Sequence, residues 1–110
     1  MKIAVPTRGD QFTPHFGRCD KFAIINVEDN HIVKEEYIIP PKHQPGVLPV
    51  FLATQGVKLI IAGGMGISAL NIFKKNQIKV ITGVSSGSPR ILVEAYLQNQ
   101  LKTGNNLCDH

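Results

Sequence analysis

Two short runs, VKLIIAGG (57–64) and IKVITG (78–83), are apolar almost throughout, end in glycine and lead into stretches of helical spacing. Such a run offers no polar face to water. It fits a brief strand buried on both sides, of the kind a parallel sheet holds between layers of helix. Between the two runs, MGISALNIFKKNQ carries Ile67, Leu70 and Phe73 at i, i+3 and i+6, one helical face turned to a core. Ahead of them, LPVFLATQG (48–56) has a proline suited to a first helical turn and Gly56 as a C-terminal stop. Beyond them, Ser88-Pro89 reads as a cap and a first-turn proline, opening a helix over RILVEAYLQNQLK that stops at Gly104.

The first forty residues follow a different grammar. KIAVPT is a short apolar strand that Pro6 and the Arg8-Gly9-Asp10 turn bring to an end. KFAIINVED (21–29) is strongly β-prone, with apolar residues on both faces, and Asp29-Asn30 is turn chemistry before a third strand in HIVKEEYIIP. These three strands form a meander. The expected order is therefore βββαβαβα, an α/β fold with a mixed five-stranded sheet and helices on both faces. Right-handed crossovers put the fourth strand beside the first and the fifth beyond it, giving the order 3-2-1-4-5 of a ribonuclease H-like, three-layer α/β/α architecture. Residues 1–104 read as a single domain and residues 105–110, NNLCDH, as a tail without regular pattern. The one long connection runs from Pro40 to Leu48.

Composition narrows the function. With 43% hydrophobic and 18% charged residues, the 110-residue chain has the profile of an ordinary globular domain. No apolar run approaches the roughly 20 residues that cross a bilayer, and the start does not read as a signal peptide, so a cytoplasmic location is expected. Two cysteines without a CxxC pair make neither a disulfide framework nor a structural zinc site. The net charge of +4 is carried by scattered lysines, the longest basic run being Lys74-Lys75. Specific nucleic-acid binding is not expected; the surplus suits an anionic small ligand or an acidic partner equally.

Three loops fall at the carboxyl ends of the expected strands, where open α/β sheets collect ligands. AGGMG (62–66) lets backbone approach an anion through Gly63, Gly64 and Gly66, or makes a tight strand-to-helix turn with Met65 filling a gap. In TGVSSGSPR (82–90), Ser85 and Ser86 offer hydroxyls and Arg90 a charge, while Ser88 suits a helix cap. TPHFGRCDKF (13–22) sets His15 four residues from Cys19, an imidazole and a softer thiolate that both ligate metals. Phe16 and Phe22 would anchor that loop, and Arg18 adds charge to it. Further candidate ligands are His43, in the long loop, and Cys108 and His110, in a tail that is either metal-binding or frayed. His31 reads as an exposed strand start. Catalytic machinery is not evident: the first strand has no carboxylate for a two-metal nuclease, and no spacing supports a triad. Cys19 with a histidine leaves a cysteine nucleophile open.

HFGRCDKF followed by AGGMGISALNIFKKNQIKVITGV resembles the dinitrogenase iron–molybdenum cofactor biosynthesis family, over nearly the whole chain. That family includes nitrogenase accessory proteins of the NifX type, the carboxyl-terminal domain of NifB and small stand-alone relatives. The resemblance implies the ribonuclease H-like fold. It also implies transient binding or carriage of an iron–sulfur or iron–molybdenum cluster, or its precursor, without catalysis. A cluster-assembly or recipient protein would then be the partner. The family's motif histidine matches His15, its cysteine Cys19 and its glycine turn Gly63, Gly64 and Gly66; Cys108 and His110 resemble the Cys/His-bearing tail of stand-alone members.

Overall fold

The first strand, β1 (Lys2–Arg8), is the axis of the sheet, because Ile3 to Thr7 are buried without a break. It belongs to a computed structural model that describes residues 1–15, 19–41 and 47–104. The remaining elements are β2 (Gln11–Phe12), β3 (Lys21–Glu28), β4 (His31–Ile38), α1 (Val47–Thr54), β5 (Val57–Ile61), α2 (Ile67–Lys75), β6 (Lys79–Ile81) and α3 (Pro89–Leu97). Along the sheet the strands run β4-β3-β1-β5-β6, with β2 paired to β1 off this path. β1 is antiparallel to β2 and β3 and parallel to β5, which is in turn parallel to β6.

Alternation along the strands feeds two cores. Ile3, Val5, Ala23, Ile25, Val27, Leu59 and Ile61 meet Leu92 and Val93 of α3 on one face. Ala4, Phe22, Ile24, Val57 and Ile60 meet Leu48 and Leu52 of α1 and Phe73 of α2 on the other. Asp29 and Asn30 both take positive φ (49° and 67°) between paired Glu28 and His31, the two-residue loop that the twist of an antiparallel pair favours.

Several sequence expectations need correction. The described sheet has six strands rather than five. Gly9 takes φ 63°, so the chain turns back in two residues and Gln11–Phe12 pairs with Thr7–Arg8 as an extra strand. Nor does Pro6 end β1. Its carbonyl accepts from Thr13 N–H (3.0 Å), whereas the Thr7 carbonyl accepts from Asp20 N–H (2.9 Å) on the opposite side. Pro6 therefore faces the side of β5, whose pairing with β1 stops at Ala4, and its missing donor falls past that ladder. β6, read as buried, is an edge strand whose Val80 and Ile81 are only partly covered.

The helix expected to reach Gly104 ends at Leu97 instead. Asn99 adopts φ 57°, its N–H donates to Tyr96 O (3.1 Å), and Gln100 N–H donates to Ala95 O (2.8 Å). This is a Schellman stop with asparagine in the glycine role. α2 stops the same way: Gln77 has φ 61°, and Gln77 and Ile78 donate to Lys74 O and Phe73 O.

Replacing Phe73, which has no exposed surface, should test the second core. Phe73→Ala is expected to lower unfolding stability by about 3–5 kcal/mol in urea titrations. Ile91→Ala, at 64% exposure, should change it by no more than about 0.5 kcal/mol.

Candidate functional site

Beyond the end of β1 the chain is held at both margins of the loop that carries His15. Buried Thr7 donates its Oγ1–H to Lys21 O (3.0 Å), and Asp20 Oδ2 accepts from Gly9 N–H (3.1 Å). Buried Thr13 sits two residues before His15, whose N–H points to Thr13 Oγ1 at 3.4 Å. The segment then runs alongside the continuation of β5. His15 forms a parallel bridge with Gly64, and Gly64 N–H donates to Pro14 O at 2.8 Å. The His15 side chain is left exposed.

This approach requires the residue next to Gly64 to lack a side chain. A Cβ on Gly63 would overlap Pro14 and lie 2.7 Å from the Val84 carbonyl oxygen, so chain presses on it from two directions. On its far side Gly63 O accepts from Gly83 N–H (2.9 Å), and Gly83 O accepts from Gly104 N–H (3.1 Å). Gly83 has φ 85°, and a Cβ there would overlap the Gly104 backbone. The result is a ladder of backbone bonds from Pro14 through Gly63-Gly64 and Gly83 to Gly104, laid across the carboxyl ends of β5 and β6.

The two helices that start at this rim differ. Ser88 Oγ accepts from Ile91 N–H (3.4 Å) and caps α3. α2 begins at Gly66 with no side-chain cap and no acidic residue in its first turn. A Cβ on Gly66 would meet nothing within 4 Å, and Ile67 and Ser68, which follow it, are exposed. Met65 turns inward and joins the second core.

Cys19 is half-buried against that same core. Its thiol pKa is pushed up to about 11, first by burial and then by the negative charge of Asp20. It is a protonated thiol at neutral pH. Ser85 and Ser86 are exposed in the connection after β6. Arg90, expected beside an anion at this turn, is instead engaged by Glu94 (3.1 Å) and by Glu35 of β4 (3.6 Å). A surface groove of about 370 Å³ opens between His31 and α3, apart from the rim. Arg18, His43, Cys108 and His110, as well as Phe16, lie outside the described residues. Among the described residues no three His, Cys, Asp or Glu side chains converge on a common point.

Sequence reasoning passed over Thr13, Pro14, Gly83 and Gly104. Gly83 at the end of a strand was visible as a turn former, but Gly104 looked like a helix stop. Its part in the ladder follows from α3 ending early and the chain returning to the rim.

The sequence and the fold both have known relatives. Residues 1–99 match the family described as dinitrogenase iron-molybdenum cofactor. The protein MJ0580 of Methanocaldococcus jannaschii is 37% identical over 86 residues, covering 73% of this chain and 72% of that protein. The crystal structure of PH0822 superposes with a TM-score of 0.87 at 29% identity, over 94% of each chain. The apo form of the orange protein of Desulfovibrio gigas shares the fold, with a TM-score of 0.79 at 23% identity over 96% of this chain and 93% of that one. The chain belongs to the dinitrogenase iron-molybdenum cofactor family.

Proposed function

We propose that the chain binds and carries an iron–sulfur or iron–molybdenum cluster, or a precursor of one, without catalysing a reaction on it. The observation that supports this reading best is the exposed His15, fixed by the bridge to Gly64 beside the uncapped start of α2. A sulfide-bridged cluster is a large anion with metal at its surface. An imidazole ligates the metal, while the N–H groups following Gly66, with Ser85 and Ser86, spread the negative charge. Arg18 adds a cation from the same loop.

Cys19 serves as a second ligand once a metal displaces its proton. Cys108 and His110 follow Gly104, which is anchored on Gly83, so they are third and fourth candidates. His43 belongs to the same candidate set. One or two soft ligands on an open rim suit cargo that must be handed on, to a cluster-assembly or recipient protein.

Residues 1–104 act as one ribonuclease H-like domain, supported by the order of the five longer strands, and 105–110 as its tail. The protein works in the cytoplasm, without specific nucleic-acid or membrane binding; no helix among the described residues is long and apolar enough to cross a membrane. A second reading, a small regulatory or adaptor domain that binds an anionic metabolite or an acidic protein partner, is favoured, for the metabolite, by the uncapped α2 alone. Thermal stabilisation by phosphate that is independent of metal would distinguish it.

Anaerobic addition of a synthetic iron–molybdenum–sulfur cluster, followed by gel filtration with metal and sulfide analysis, tests the carrier reading. The wild-type chain is expected to retain cluster, and His15→Ala to bind it about tenfold or more weakly. No retention, or equal retention by a variant lacking both His15 and Cys19, overturns the reading. Gly63→Ala should impair loading similarly although the imidazole itself is retained, because the new methyl displaces Pro14 and with it the backbone that holds His15.

The thiol of Cys19 separates a carrier from a cysteine enzyme. Burial favours its neutral form, so iodoacetamide should react sluggishly at neutral pH and faster as pH rises towards about 11. Rapid, stoichiometric alkylation of Cys19 at pH 7 would point to an enzyme instead.

A further inference from the structure

From Tyr37 to Val93 the chain contains no aspartate or glutamate, yet the same stretch holds Lys42, Lys58, Lys74, Lys75, Lys79 and Arg90. Four of these fall at one end of the sheet, the amino ends of β5 and β6. Lys74 and Lys75 form the last turn of α2, the Schellman stop at Gln77 reverses the chain, and Lys79 opens β6. Lys79 pairs with Leu59 of β5, the immediate neighbour of Lys58. All four side chains are exposed. Lys2 flanks them, with its Nζ donating to Gln55 O (3.1 Å).

The other half of the sheet treats its charges differently. Lys21 meets Asp10, Lys34 meets Glu36, and Arg90 meets Glu35 and Glu94. Among the described residues no carboxylate lies within ion-pair distance of Lys58, Lys74, Lys75 or Lys79. Lys74 and Lys75 suit the negative end of the α2 dipole. That accounts for two of the four; Lys58 and Lys79 sit on strands, where no helix dipole calls for them.

We propose that this corner, at the amino ends of β5 and β6, is a docking surface for an acidic face of another protein. Four ammonium groups at one end of the sheet, none within ion-pair distance of a described carboxylate, complement clustered carboxylates, raising the rate of encounter and fixing orientation. Nucleic acid fits less well. The aromatic residue on β5, α2 and β6 is Phe73, fully buried, so no stacking platform is offered. The corner also holds lysines rather than the arginine forks that read base edges.

The location gives the surface its use. The corner lies at the opposite end of the strands from His15 and the Gly63–Gly83 ladder, about 20 Å along the chain direction from Lys58 to Gly64 and about 13 Å from Lys79 to Gly83. A partner seated there leaves the rim open. The surface depends only on charge and placement, and stands whether or not the rim takes a cluster.

Titration of the nitrogen-15-labelled chain with a glutamate-rich peptide, followed by NMR, tests the proposal. Amide shifts are expected at Lys58, Lys74, Lys75 and Lys79 and not at His15, Gly64 or Gly83. Reversing all four lysines to glutamate should weaken binding about tenfold or more, and so should the milder change of all four to glutamine. Arg8→Glu with Lys102→Glu should leave it within about twofold. The wild-type affinity should fall steeply between roughly 50 and 300 mM salt. Peptide binding that is indifferent to both sets of lysine changes, or centred on the rim, overturns the proposal. Tighter binding of a duplex oligonucleotide through the same lysines at equal salt would overturn it in favour of nucleic acid.

Discussion

The missing side chain of Gly63 is the constraint on which the rim depends. Pro14 presses on its Cα from one side and the Val84 carbonyl from another, a closeness that no residue with a Cβ tolerates. Because the gap is closed, Gly64 N–H reaches Pro14 O and Gly83 N–H reaches Gly63 O. The sheet thereby continues as backbone hydrogen bonds past the last residues of β5 and β6. This continuation holds the backbone at His15, while its side chain is exposed. Fixing the loop in advance lowers the ordering entropy that a ligand would otherwise have to overcome.

Much of the fold was legible because local chemistry and tertiary context agree. The glycine-ended apolar runs became β5 and β6, Ser88-Pro89 opened α3, and Asp29-Asn30 made the hairpin turn. The misreadings arose where a residue's usual meaning depends on what lies beside it. Pro6 breaks a strand only if its N–H is needed, and here it falls between the end of the β5 ladder at Ala4 and the start of the β2 ladder at Thr7. Asn99 is an ordinary helical residue in sequence; its positive φ is worthwhile because Gln100 then caps Ala95. β2 is only two residues long, too short for any periodicity to reveal.

The site was legible to a different degree. Sequence placed His15, Cys19 and the two glycine turns at one end of the sheet, since strand direction follows from the order of elements. It could not show what holds them, because the ladder uses backbone atoms that every residue possesses. It also misjudged Arg90. A basic residue at the start of a helix near an anion-friendly turn invites pairing with a ligand, but α3 packs over β1, β3 and β4 and delivers Arg90 to Glu35. Charge in sequence says nothing of which way a helix turns it.

Two properties of the proposed carrier then follow from one another. The strongest donor chemistry at the rim, the Cys19 thiol, is held protonated by burial and by Asp20, so metal must compete with a proton for it. That competition weakens the hold on cargo, and it does so in a manner that a change of surroundings can reverse. A partner that covered the rim would further desolvate Cys19 and shift the balance towards the thiol. Docking on the basic corner would leave the rim uncovered, since the amino ends of β5 and β6 lie at the other end of the strands from Gly64 and Gly83. For the proposed carrier, separation of the two ends of the sheet would let recognition be tight while the grip on cargo stays loose, which is the combination that delivery, as opposed to storage, demands.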